Sequence, residues 1–132
     1  MGLTEDRMQQ GFVQFTKMAG AERAQELSEN WRDISPDFQQ CVIGILAGEI
    51  WTRTQLDLRT RSLVTIAGLT ALGKNQALAL NVEMALQNGA SRLEIRETML
   101  QIAFYAGFPA AWEGLQIAEQ IFKQIDQSAP VD

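Results

Sequence analysis

The chain has 132 residues, 46% of them hydrophobic, with 16 acidic and 11 basic side chains, a net charge of −5, a pI near 4.7, one cysteine and no histidine. That length and apolar content suit one domain, residues 1–132, around a single core. The acidic balance, with no basic stripe, argues against nucleic-acid and anionic-membrane partners. Without histidine the chain lacks the one side chain that titrates near neutrality unperturbed, and with it the commonest general base and metal ligand. No metal site and no cofactor is expected. One cysteine cannot form an intrachain disulfide, and the charged start Thr4-Glu5-Asp6-Arg7 is unlike a signal peptide, so a cytoplasmic location is the expectation. Two uncharged runs, 62–73 and 98–112, fall short of the roughly 20 apolar residues of a membrane span and read as helices buried on most sides.

In chain order, every punctuation mark is a helix start or stop, and no period-2 alternation suggests a strand. Thr4 caps a first helix with Met8, Phe12, Phe15 and Ala19 at steps of 4, 3 and 4, interrupted at Gly20. A second, loosely packed piece covers Ala21 to Trp31. Ser35-Pro36 is an N-cap followed by an N1 proline, opening a helix with Phe38, Val42, Ile45 and Leu46 on one face that stops near Gly48. Cys41 on this helix reads as packing, with no basic neighbour within a turn to activate it. Trp51 to Gln55 is a loop. Asp57 caps a helix ending at Gly73, and Asn75 caps the next, which ends at Gly89; the two form a hairpin. Ser91 and Glu94 make a capping box for a helix to about Ala106, and Gly107-Phe108-Pro109 breaks it before a last helix with Leu115, Ala118, Ile121, Phe122 and Ile125 inward. Residues 128–132 read as a frayed tail. The result is an all-α compact bundle of six or seven short helices. Its middle helices are apolar nearly all round, a surplus that favours a homo-oligomer.

Three places can carry chemistry. Asn81 has Ala77, Leu78, Met84 and Ala85 at helical spacing, so it faces an apolar surface, where its amide either bonds within the core or orients a ligand. Glu49 and Trp51, followed by Arg59 and Arg61, place a carboxylate, an aromatic ring and two guanidinium groups around a short loop. Guanidinium groups bind carboxylates through paired hydrogen bonds, so this is either an anion clamp with Glu49 as proton carrier, should burial raise its pKa, or a structural Glu–Arg pair. Tyr105 to Trp112 is a rigid uncharged break that lines a pocket or is a plain helix–helix turn.

The strings GEIWTR, LDLRTRSLVTIAGLTALG and ALALNVEMALQNGASRLEIRETMLQIAFYAGFPAA, in this order and over about 35–122, resemble the carboxymuconolactone decarboxylase family, which includes the alkylhydroperoxidase-D-like proteins. The resemblance implies an all-helical fold of intertwined dimers assembling into trimers or hexamers. It also implies cofactor-independent lyase chemistry on a small organic acid or lactone, in a pocket between subunits. On that reading Glu49 and Asn81 are the catalytic residues and Trp51, Arg59, Arg61 and Tyr105 bind substrate. The chain departs from the family at the informative helix: Asn81 stands where the decarboxylase branch usually has histidine, and Lys74 and Ala77 stand where the peroxidase branch has a C-x-x-C pair. Peroxidase chemistry needs an attacking thiolate and a resolving thiol, and this helix has neither. The alternative to a decarboxylase is a non-catalytic oligomeric relative that serves as a scaffold or partner-binding module.

Overall fold

The computed structural model describes residues 2–128 and is all-α, with no strand among the described residues. The helices are α1 (Glu5–Ala19), α2 (Ala21–Ile34), α3 (Pro36–Gln39), which runs directly into a π-helix (Gln40–Ile50), α4 (Leu58–Leu72), α5 (Asn75–Gln87), α6 (Arg92–Ala106) and α7 (Phe108–Ser128). They divide into two compact units, Met1–Asp57 and Leu58–Asp132.

In the first unit, the Thr4 hydroxyl accepts from the Arg7 amide at 3.2 Å and starts α1, and Gly20, at φ +89°, ends it. α2 is longer than expected, reaching Ile34, and buries only Ala24 and Ser28. Aromatic contacts hold it in place: the Trp31 ring lies 5.5 Å from that of Phe15 and 6.3 Å from that of Phe38. The Gln39 amide donates to the Ser28 carbonyl and hydroxyl, tying α3 back to α2.

The third helical stretch departs most from expectation. It ends at Ile50 rather than near Gly48, and from Gln40 onward it is wound with i to i+5 bonds, as in Trp51 N–H to Leu46 C=O at 3.0 Å. π-helical turns normally occur singly. The wider winding goes with a buried face of Ile43, Gly44 and Ala47, with Leu46 exposed and Cys41 turned outward, so the expectation that Cys41 packs is corrected; Phe38, in the α-helical turn before it, is exposed too. α1 meets the π-helix backbone to backbone. A Cβ built on Gly11 would come within 1.8 Å of the Ile43 carbonyl oxygen, and one on Gly48 within 3.2 Å of the Gly11 Cα. This crossing also explains why α1 buries Gly11, Gln14, Phe15 and Met18 instead of the Met8–Phe12 stripe.

The second unit is the expected α4–α5 hairpin with a second hairpin, α6–α7, beside it. α4 lies against α5 and α6 against α7, around a core of Ile66, Leu78, Val82, Ala85, Ile95, Met99, Ala118, Ile121 and Phe122. Gly73 and Gly89 take positive φ where α4 and α5 end. Lys74, not Asn75, occupies the cap position of α5. α7 crosses α4 and α5 at Gly114, where a Cβ would lie 2.9 Å from the Thr70 methyl. The Asn88 amide donates to the Ser62 hydroxyl at 2.9 Å, fastening the end of α5 to α4. On the α6–α7 face, Arg92 pairs with Asp126 and Arg96 with Glu119, both in forked contacts, and both guanidinium groups sit about 5 Å above the Phe122 ring. These hydrogen bonds hold the Asp126 and Glu119 carboxyls below their ordinary pKa. Ser128 still belongs to α7, and the rest of the expected frayed tail lies outside the described residues.

Candidate functional site

The six candidate residues fall on both units. Glu49 lies on the last turn of the π-helix, and Trp51 follows it. Glu49 is half-exposed and forms an ion pair with Arg7 of α1, a partner that sequence reasoning missed. The burial on which a proton-donor role for Glu49 depended is therefore absent. The Trp51 side chain, at the start of the expected loop, is only 6% exposed and packs as core. Beyond it, the Thr52 hydroxyl donates to the Gly48 carbonyl at 2.8 Å and closes the end of the π-helix.

In the second unit, Arg59 opens α4 and is engaged by Glu94 of α6. The carboxylate of Glu94 does two jobs. One oxygen accepts from the Ser91 amide at 2.9 Å in the expected capping box, and the other accepts from Arg59. The backbone bond at Ser91, reinforced by the Arg59 charge, lowers the Glu94 pKa. Arg59 is thus a guanidinium already holding a carboxylate, the chemistry that a clamp for an acid requires. Arg61, two residues on, is half-buried, with its Nε enclosed.

Asn81 is half-buried on α5, and its amide donates to the Ala77 carbonyl one turn back at 2.8 Å. This is the local back-bond available to a mid-helix asparagine. It uses one of the two N–H groups and leaves the other, with the carbonyl oxygen, for a ligand. Tyr105 is 79% exposed, outside the core. The break it belongs to is a single residue, Gly107 at φ +103°, after which α7 begins at Phe108. The break does form a groove of about 410 Å³, apolar on every side, walled by Met99, Leu100, Ala103, Phe108, Trp112 and Leu115. A second, wider groove in the first unit is floored by Met8, Phe12 and Ile43. Neither groove is lined by any of the six candidates. Among the described residues no cluster of carboxylates or thiols is arranged to hold a metal ion, and no helix is long and apolar enough to cross a membrane.

The signal that could have revealed Arg7 is glycine placement. Gly11 stands one turn after Arg7 inside a helix, and Gly44 and Gly48 stand one turn apart in another. Glycine in a helix interior is costly unless another backbone comes close.

Comparison with known proteins gives a consistent pattern. The carboxymuconolactone decarboxylase family matches residues 36–120. Over 121 residues, 92% of this chain and 90% of the relative, the sequence is 36% identical to the 4-carboxymuconolactone decarboxylase of Acinetobacter baylyi. It is 29% identical over 101 residues, 76% of this chain and 71% of the relative, to a nitrosuccinic acid decarboxylase of Metarhizium robertsii. A third relative, an uncharacterized 15.0 kDa protein of Paracoccus denitrificans, is 35% identical over 82 residues, 61% of each chain.

Proposed function

Because the chain belongs to the carboxymuconolactone decarboxylase family, we propose that it binds a small organic acid or lactone and decarboxylates it without a cofactor. The observation that carries this reading is the 36% identity to a decarboxylase over nine-tenths of both chains, with a second decarboxylase-named relative at 29%. The residues can be given roles that balance. Arg59 and Arg61 hold a substrate carboxylate that is retained, as Arg59 now holds Glu94. The carbon–carbon bond to the departing carboxylate breaks, carbon dioxide leaves, and the electron pair stays on the remaining carbon or is delocalised into an enolate. The unused N–H of Asn81 donates to the developing oxyanion, and water supplies the proton that the carbon takes up. Trp51 supports the turn behind Glu49, and Tyr105 contributes to the substrate wall once subunits assemble.

Assembly is part of the proposal. Phe104, Tyr105 and Trp112 are 71%, 79% and 67% exposed, with Leu100 and Phe108 beside them. Aromatic side chains of this size carry roughly 150–250 Å² each, so the patch reaches several hundred Å², more than a soluble monomer ordinarily leaves to water. We assign it to contact between copies of the chain in a cytoplasmic homo-oligomer built from dimers. Light scattering at micromolar concentration is expected to return a multiple of 14.7 kDa; a stable monomer would contradict this assignment.

Two contacts favour the second reading, a non-catalytic relative. Asn81 is bonded to its own helix, and Arg59 is satisfied by Glu94. Ligand binding decides whether a site remains. γ-Carboxymuconolactone at about 100 times its Kd should stabilise the fold by about 2.7 kcal/mol, several degrees in Tm. No shift with that acid or with nitrosuccinate at millimolar concentration would count against an acid-binding pocket.

A further inference from the structure

The arginines of the second unit are not equally committed to their partners. Arg92 is held by both oxygens of Asp126, at 2.7 and 3.1 Å, and Arg96 by both oxygens of Glu119, at 2.5 and 3.2 Å, and each guanidinium lies over the Phe122 ring. Arg61 is half-buried with its Nε enclosed. Arg59 differs, because the carboxylate it meets has a post of its own. One oxygen of Glu94 accepts from the Ser91 amide at 2.9 Å while the Glu94 amide donates to the Ser91 hydroxyl at 3.0 Å, so the capping box alone places this carboxylate. Its other oxygen meets Arg59. The backbone bond at Ser91, ahead of the Arg59 charge, keeps the Glu94 carboxyl below its ordinary pKa, so it stays an anion at neutral pH when Arg59 lets go. Glu94 and Arg59 are 34% and 45% exposed, and an ion pair so open to water is weak and exchangeable. Releasing Arg59 leaves the Glu94 cap intact, whereas releasing Arg92 or Arg96 breaks two charge-assisted hydrogen bonds at once.

We propose that Glu94 is an internal stand-in for the substrate's carboxylate: it occupies Arg59 when no acid is bound, an incoming organic acid displaces it, and it thereby sets how tightly acids are held. This rests on the reading of Arg59 as the residue that holds a substrate carboxylate. It also gives the Arg59–Glu94 contact, which otherwise speaks for a lapsed site, a place in a working one. The exchange is of one carboxylate for another at a guanidinium, and no proton changes hands. A neutral ligand, such as a methyl ester of the acid, gains nothing from it, so Glu94 tunes affinity for acids alone.

The test is the dissociation constant of γ-carboxymuconolactone, measured by calorimetric titration at low salt for the wild type, Glu94→Gln, Arg59→Gln and the double variant. Glu119→Gln, which removes a carboxylate from Arg96 instead, is the control for net charge. Glutamine serves a capping box as glutamate does, so Glu94→Gln is expected to keep a Tm near wild type. It should bind the acid about 3–5-fold more tightly, the scale of a weak exposed ion pair, with kcat unchanged. Arg59→Gln should weaken binding, the double variant should bind no better than Arg59→Gln alone, and Glu119→Gln should bind as the wild type does. Should Glu94→Gln fail to fold, Glu94→Asp, whose shorter side chain draws the charge back from Arg59, is expected to shift affinity in the same direction. An equal or weaker affinity once Glu94 is replaced, or a tightening that survives Arg59→Gln, overturns the stand-in role and leaves the acid-binding reading in place. If neither the wild type nor Glu94→Gln binds the acid at millimolar concentration, the acid-binding reading falls and this role with it.

Discussion

Gly11→Ala is expected to destabilise the protein by about 1–3 kcal/mol or more, against the ordinary rule for glycine inside a helix. In a solvated helix the same change stabilises by about 0.5–1 kcal/mol, because alanine loses less backbone entropy on folding. At Gly11 the new methyl would stand 1.8 Å from the Ile43 carbonyl oxygen, 2.7 Å from its carbon and 3.3 Å from the Gly44 Cα. All three are backbone atoms, so no side chain can swing aside, and the π-helix itself would have to move. Gly68 in α4 is the matched control, since a Cβ there meets nothing within 4 Å. Equilibrium urea unfolding of the two variants should therefore shift the midpoint in opposite directions, down for Gly11→Ala and up or unchanged for Gly68→Ala. Equal midpoints would mean that the close crossing of α1 and the π-helix is not part of the native state.

The second unit was legible in the sequence because its signals are local. Gly73, Gly89 and Gly107 mark chain reversals that need positive φ, and Ser91 with Glu94 states a helix start three residues wide. The first unit was read less well for a physical reason. Its helix from Pro36 carries good α-forming periodicity, yet the backbone contact at Gly11, Gly44 and Gly48 goes with a π-winding that no 3.6-residue pattern contains, and with it the buried face changes. Trp51 illustrates the limit on the site side. A tryptophan in a loop between a carboxylate and two arginines suggests a binding wall, but the ring is taken up as core. Ion-pair partners were the least legible of all. Arg7 is 42 positions from Glu49 and Arg59 is 35 from Glu94, separations at which charge pattern alone does not choose partners.

Asn81→His is the substitution expected to move activity most. The asparagine amide can orient an oxyanion but cannot take up or release a proton near neutral pH, whereas an imidazole at the same point of α5 can do both. Its neighbours one turn away are Ala77, Leu78, Met84 and Ala85, and Asn81 itself is only half-buried. The amide's bond to the Ala77 carbonyl is a back-bond that the helix does not need, so its loss should cost little stability. Positioned general acid–base catalysis supplies about 10²–10⁴-fold, and a gain of about 100-fold in kcat is the expected lower figure.

The same assay bears on the central claim, that this chain is itself a decarboxylase with Asn81 in place. Carbon dioxide evolved from γ-carboxymuconolactone and from nitrosuccinate is to be followed at saturating substrate for the wild type, Asn81→His and a protein-free control. Release by the wild type above the control, raised further in Asn81→His, is the predicted result. Release by Asn81→His alone, with the wild type indistinguishable from the control, would contradict the claim and mark the chain as a relative whose fold has outlived its chemistry.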